Sequence, residues 1–337
     1  MDYAGQVTGD DLSLTGTTAC PGLPPPWLSV IMPSHCGERW IDATLGSVAI
    51  QADQGLEMII VDSSPGAETF NLVQRFASRI RLRFDKRPDL LSWQAKTNFG
   101  VGIASAPHVC WLHQDDVWLP GRAAAIRRWI ETAPDAVLHL APTAIIDARG
   151  RRLGTWRCPL PYRGGQVPKE MLLSRLLVQN FVATPTPVFT RVAWEAVSGI
   201  DETLWYTADW DLWLKLTSYG PAAYHDEVTT GFRIHDGSLT ITGSKNVNDF
   251  TSQMELVLNR HLPLLNHRRR KVERSARASI CVNAALAAAA HGKLWHLPVV
   301  LVSLLLLGPA GFVHYLRDST IIERLVPRVR AKLLGAF

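Results

Sequence analysis

Cysteine is scarce and scattered in this chain: Cys20, Cys36, Cys110, Cys158 and Cys281, five in number, with no CxxC spacing. An odd, dispersed set excludes a disulfide framework and a cysteine-based zinc site, and fits reduced thiols in a cytosolic setting. The opening stretch MDYAGQVTGDDLSLTGTTACPGLPPPW lacks a basic-then-apolar profile, so it does not read as a secretory leader. Polar, acidic and closed by a proline run, residues 1–26 read as a loosely attached arm. No internal repeat is visible. Charge is sparse too: Asp, Glu, Lys and Arg make up 19% of residues, and the net charge is +5. That excludes a uniformly cationic protein.

What charge excess exists is concentrated. HRRRKVERSAR, residues 267–277, carries six Lys/Arg and one acid, which points to an anionic partner for one face. Hydrophobic residues reach 47%, enough for a sizeable core in 337 residues.

From Trp27 the pattern becomes regular. WLSVIMP, LEMIIVDSS and HVCWLHQDD are continuous apolar runs of the kind buried parallel strands show, with a shorter strand at IRLRF. Helical spacing occupies Glu38 to Gln51, Glu68 to Arg79 and WQAKTNFGVGIASA between them. This alternation predicts an open α/β sheet, in which ligands gather at the carboxyl ends of strands. Asp62 and Asp115 fall at such ends, which predicts that they converge on one crevice.

Further on, PGRAAAIRRWIETAP reads as a helix, and AVLHLAPTAIIDARGRRL as a hairpin turning at Arg-Gly. TADWDLWLKLTSYG is helical, and AAYHDEVTTGFRIH forms a last strand or strand pair. Two adjacent carboxylates at a strand end, Asp115 and Asp116, suit a hard divalent cation such as Mg²⁺ or Mn²⁺. The plainer role is an N-cap for the next helix, and both fit if Asp116 caps while Asp115 binds.

Five blocks stand in order: LSVIMPSHCGERWIDATLGSV, LEMIIVDSS, NFGVGIASAPHVCWLHQDDVWLPGR, DETLWYTADWDLWLKL and GFRIHDGSLT. Together they closely resemble the family 2 glycosyltransferases with the GT-A fold. The resemblance implies an α/β chain with a Rossmann-like, mostly parallel sheet over residues 27–240. A helical, basic and apolar C-terminal tail, 241–337, lies outside it.

By that resemblance the chain is an inverting enzyme that moves a sugar from a nucleoside diphosphate to an acceptor hydroxyl, with Mn²⁺ or Mg²⁺ offsetting the departing charge. HQDD takes the place of the family's Asp-x-Asp motif, with Asp115 as its second acid and His113 where the first would be. His235, in the late Arg-x-His block, joins Asp115 as metal ligand, and Arg233 contacts phosphate. Pro33, Ser34 and His35 line the nucleobase pocket, Asp62 contacts the base, and Lys96 and Asn98 lie near the donor. Asp209 matches the general base, with Ala208 where a Glu is customary. Asp211 is either structural or an acceptor contact. Trp205 or Trp210 offers an indole face for an acceptor sugar.

The alternative is a non-catalytic sugar-nucleotide-binding or scaffold protein of the same fold, since two family acids are missing. A nucleotidyltransferase ranks last, because no glycine-rich, Arg/Lys-bearing loop follows the first strand. Nucleic acid is not expected as a partner, because the basic residues lie in an alanine- and leucine-rich tail. Between Lys293 and Arg317 run 23 uncharged residues, broken by Pro298, Gly308 and Pro309. This segment suits a span, a surface or re-entrant helix pair, or a packed tail. With basic clusters on both sides, it points to a peripheral position on the cytoplasmic face of a membrane and a saccharide or lipid-linked acceptor.

Overall fold

The computed structural model describes residues 24–161, 165–237, 246–290 and 297–333. Most of the arm expected at 1–26 lies outside them, as do Cys20 and residues 294–296 of the uncharged stretch.

The amino-terminal half alternates as its periodicity predicts. β1 (Leu28–Ser34), α1 (Ile41–Ala49), β2 (Leu56–Asp62), α2 (Glu68–Gln74), β3 (Arg81–Lys86), α3 (Trp93–Gly102) and β4 (His108–Trp111) follow in order. β1 pairs in parallel with both β2 and β4, and β2 with β3. Every residue of β1 and β2 is buried, because helices cover both faces. Side chains alternate between them: Val30 and Met32 join the cluster under α1, whereas Ile31 joins Val61 and Trp111 on the other face. Pro33 lies beyond Ile31, where pairing with β4 stops. α3 sits hard on β1 at Gly100, where a Cβ would lie 2.5 Å from Ile31 Cγ2.

After β4 come β5 (Val117–Trp118), α4 (Arg122–Thr132), β6 (Leu138–Leu140), β7 (Thr143–Ile146), β8 (Arg152–Trp156) and β9 (Gly165–Val167). Then follow α5 (Lys169–Val178), β10 (Val188–Thr190), α6 (Arg191–Ala196), α7 (Ala208–Tyr219), β11 (Ala222–Tyr224) and β12 (Thr230–Arg233). The large sheet has the order β3-β2-β1-β4-β10-β6-β11-β9, and a small second sheet the order β5-β12-β7-β8. The expected hairpin is therefore β7–β8, turning at Gly150 in left-handed conformation, while the preceding LHL segment belongs to the other sheet. The expected last strand is two strands, β11 and β12, one in each sheet.

The C-terminal segment is helical: α8 (Val247–His261), α9 (Arg269–Ala290), α10 (Leu297–Leu305), α11 (Gly308–Ser319) and α12 (Ile321–Leu333). Met254, Val257, Leu258, Ala276, Ile280 and Tyr315 join the same apolar cluster as α5 and α7. No single helix among the described residues is long and apolar enough to cross a membrane. Instead α10 and α11 form a pair bent by 112°, with Gly308 at positive φ between them.

Candidate active site

The carboxyl ends of β1 and β4 open into a cleft of about 740 Å³. Pro33, Ser34, His35, Lys96, Asp115, Asp209, Arg233 and His235 all line it.

On the β1 side, Gln114 organises the loop. Its Oε1 accepts from the His35 backbone N–H at 2.9 Å and from Ser34 Oγ, while its Nε2 donates to the His35 carbonyl. The His35 ring contacts Ser63 Oγ at 3.1 Å. Lys96 is buried rather than solvated: Nζ donates to the Ser34 carbonyl and to Ser63 Oγ. Burial pushes its ammonium down to about 8, against the opposing charge of Asp62.

At the end of β4 the two acids divide the work. Asp115 Oδ2 lies 2.8 Å from His235 Nε2. Burial opposes its ionisation, yet the His235 hydrogen bond and the His113 charge hold its carboxyl below the usual range. Asp116 does not cap α4, whose N-cap is Gly121. Its Oδ1 accepts from the Arg233 backbone N–H at 2.8 Å, tying β12 to this loop. Burial, then the charge of Asp115, raises the Asp116 carboxyl well above its ordinary value. His113 Nε2 is buried with no hydrogen-bond partner. One of its ring nitrogens and carboxylate oxygens of Asp115 and Asp116 lie within 4.8 Å of one another. An unpaired imidazole nitrogen beside two carboxylates is a donor set that fits a divalent cation, and a nitrogen ligand suits Mn²⁺ better than Mg²⁺. The sequence pointed to Asp115 with His235; the structure adds His113 and Asp116, with His235 hydrogen-bonded to Asp115.

Asp209 stands in the first turn of α7. Its Oδ2 accepts from Asn180 Nδ2 at 3.1 Å, and its Oδ1 from the Trp210 backbone N–H at 2.7 Å. Burial nonetheless raises its carboxyl to about 6, the two hydrogen bonds opposing. An acid balanced near neutrality is suited to accept a proton.

Other expected site residues have structural work. Asp62 has no exposed surface; its carboxylate accepts from Ser64 N and Oγ and pairs with Lys86 Nζ at 3.0 Å. It does not line the cleft, and Ser64 Oγ passes its order to Cys36 N. Asn98 does not line it either. Its amide bonds Ile200 on both sides and Glu202, clamping the turn at Gly199. Arg233 lines the cleft, but Nε and Nη1 donate to the carbonyls of Asp115, Asp147 and Ala148, so it positions the acidic loop. Asp211 is fully buried between Arg260, His261 and Lys215 and is structural, not an acceptor contact. Trp210 is buried with Nε1 on the Leu176 carbonyl, whereas Trp205 is half-exposed in the cleft, its Nε1 on Asp249.

Sequence reasoning missed Gln114, although it sits inside QDD. Trp40, packed against the His235 ring and under the Arg233 guanidinium, gave no signal beyond its helical spacing. Asn180 gave none at all.

Residues 29–190 match the family model described as glycosyl transferase family 2. An uncharacterized glycosyltransferase of Rickettsia typhi is 21% identical over 228 residues, which cover 67% of this chain and 69% of that one. Among solved structures, S. aureus TarS 1-349 in complex with UDP-GlcNAc superposes with a TM-score of 0.62 at 15% identity, covering 92% of each chain. Mannosyltransferase PcManGT from Pyrobaculum calidifontis, in complex with GDP-Man and Mn2+, gives 0.50 at 15% identity over 91% of this chain and 87% of that one. The family match spans the first three of the five motif blocks. Residues 29–190 match glycosyl transferase family 2, and the fold is that of the GT-A glycosyltransferases.

Proposed function

We propose that this protein is a metal-dependent, inverting glycosyltransferase that moves a sugar from a nucleoside diphosphate to an acceptor hydroxyl. The observation that carries the reading is one cleft holding Asp209 together with the His113, Asp115 and Asp116 cluster. Asp209 takes the proton from the acceptor hydroxyl, whose oxygen lone pair forms the new bond to the anomeric carbon. The bond from that carbon to the diphosphate oxygen breaks, and the electron pair leaves with the diphosphate. Attack opposite the leaving group inverts the anomeric centre. A cation held by His113, Asp115 and Asp116 would neutralise part of the diphosphate charge. Pro33, Ser34 and His35, fixed by Gln114, form the nucleobase wall, and Lys96 adds positive charge beneath it.

The donors bound in the two structural neighbours, UDP-GlcNAc and GDP-Man, make UDP- and GDP-sugars the first panel to test. Incubating the protein with each, with Mn²⁺ or Mg²⁺, and measuring release of nucleoside diphosphate tests the reading. Release that depends on the metal supports it; binding without release, even with a broad acceptor panel, favours the scaffold alternative.

We further propose that the tail rests on the cytoplasmic face of an anionic membrane, where the acceptor would be a surface polysaccharide or a lipid-linked saccharide. Leu301, Leu305, Leu306 and Val313 on α10, α11 and the bend between them are exposed, and the run Arg268–Lys271 is exposed as well. Apolar side chains next to clustered cations suit anionic lipid. Sedimentation with phosphatidylglycerol vesicles, but not with phosphatidylcholine, is expected; L301E/L305E abolishes it, and equal sedimentation with both lipids refutes the electrostatic part.

A further inference from the structure

Two arginines of the last helix enter the cleft from a direction that the donor-side motifs do not occupy. α12 is anchored over the small sheet. Pro327 sits against Gly154, where a Cβ would come within 2.8 Å of its Cγ. Ala331 packs with Leu153 and Trp156, and Glu323 accepts from the Arg157 backbone N–H. This docking places Arg324 and Arg328, one turn apart, in the wall of the cleft.

Among the described residues no carboxylate lies within ion-pair distance of either guanidinium. Nε and Nη1 of Arg324 are buried without a hydrogen-bond partner, and its guanidinium lies 5.4 Å from the Trp156 ring centre. Arg328 uses Nη1 on the Arg324 carbonyl at 2.7 Å. Two like charges at i,i+4 repel, and burying unpaired cations is costly. Accordingly, burial holds Arg324 below its ordinary value, and burial with the neighbouring Arg324 charge pushes Arg328 down to about 10.

The pair shares the cleft wall with Tyr206, which stands three residues before Asp209. Tyr206 feels the charges of both arginines and, in the opposite sense, that of Asp209. Donor diphosphate would find positive charge in Lys96 and in a cation held by His113, Asp115 and Asp116. The arginines are left for something else.

We propose that Arg324 and Arg328 form an oxyanion subsite for the acceptor, so that the hydroxyl activated by Asp209 belongs to a molecule carrying a phosphate or a carboxylate. A guanidinium fork binds either group through paired, charge-assisted hydrogen bonds, and such a ligand would supply the missing counter-charge. The proposal rests on the reading of Asp209 as base and of the β1–β4 side as donor site.

The test uses the full chain with Mn²⁺ and each nucleoside diphosphate in turn, so that the donor side is filled. Binding of glycerol 3-phosphate and glucuronate is compared by calorimetry with that of glycerol and glucose. We expect at least one anionic probe to bind roughly tenfold to a hundredfold tighter than its neutral counterpart. The preference disappears in R324Q/R328Q and is largely kept in R324K/R328K, with nucleoside diphosphate affinity unchanged in both. A phosphate preference indicates a phosphate-bearing acceptor, and a carboxylate preference an acidic sugar. Equal binding of charged and neutral probes to the wild-type chain overturns the proposal, a comparison that stands even if the glutamine variant fails to fold. Loss of nucleoside diphosphate affinity in R324Q/R328Q also overturns it, because the pair then serves the donor. If no nucleoside diphosphate binds at all, the donor reading fails, while the probe comparison still decides what the arginines hold.

Discussion

His235 Nε2 lies 2.8 Å from Asp115 Oδ2, joining the loop after β12 to the loop after β4 across the mouth of the cleft. Because that contact orients the carboxylate beside His113 and Asp116, H235A should weaken Mn²⁺ binding by about 10–100-fold. D115A should abolish metal-dependent turnover while the fold survives, since Asp115 is at the cleft surface. Metal titration followed by tryptophan fluorescence reads both. Unchanged metal affinity in D115A would remove the cluster from the site.

Asp209 is raised to about 6 by burial, with Asn180 opposing that rise. As a base it must be ionised, so kcat/KM should fall about tenfold per pH unit below about 6. Removing the Asn180 amide in N180A deletes an interaction that favours the charged form, so the acid limb should move to higher pH. A profile that keeps its midpoint in N180A would mean that the amide does not tune this acid.

Asp211 is held below its ordinary value, at about 2, by His261, Lys215 and Arg260 against the effect of burial. Its stabilisation is therefore present above the unfolded value near 4 and is lost as pH falls through about 2. D211A removes the acid from His261 and Lys215, while Arg260 keeps Asp201, and should cost about 3–5 kcal/mol at neutral pH. Denaturant unfolding measures it. A loss of activity with stability intact would return Asp211 to the acceptor site.

Asn98 and Gly199 form a structural clamp. Gly199 has φ of +59°, and a Cβ there would lie 2.7 Å from Asn98 Oδ1. N98A should destabilise the chain by about 1–3 kcal/mol and leave the KM for donor unchanged at temperatures where the variant is folded. A raised KM without a stability change would restore the donor role.

Much of the fold was legible because its signals are local. Continuous apolar runs ending in Asp62 and Asp115 marked the parallel strands, and Gly100 of α3 fell where the helix meets β1. The site was legible in part. Asp115 and Asp209 sit in motifs that position alone identifies, but what a polar side chain faces depends on segments far along the chain. Asp62 turns to Lys86, Arg233 to the carbonyls of Asp115 and Asp147, and Asn98 to Ile200, partners that no spacing rule connects. α12 is the extreme case. From sequence its basic residues count only as one of the clusters beside the uncharged stretch, whereas packing of Pro327 on Gly154 turns two of its arginines toward the cleft.

The most direct measurement is D209N, assayed for turnover, donor binding and melting temperature. If Asp209 is a base kept charged at neutral pH against its burial, D209N loses at least about a hundredfold in kcat and binds nucleoside diphosphate with unchanged affinity. A folded-state value raised to about 6 means that its stabilising contribution is present at low pH and lost as pH rises through 6. D209N should therefore melt above wild type at pH 8, with the gap closing by about pH 4. Full activity in D209N, with the wild-type melting temperature at pH 8, would contradict the account.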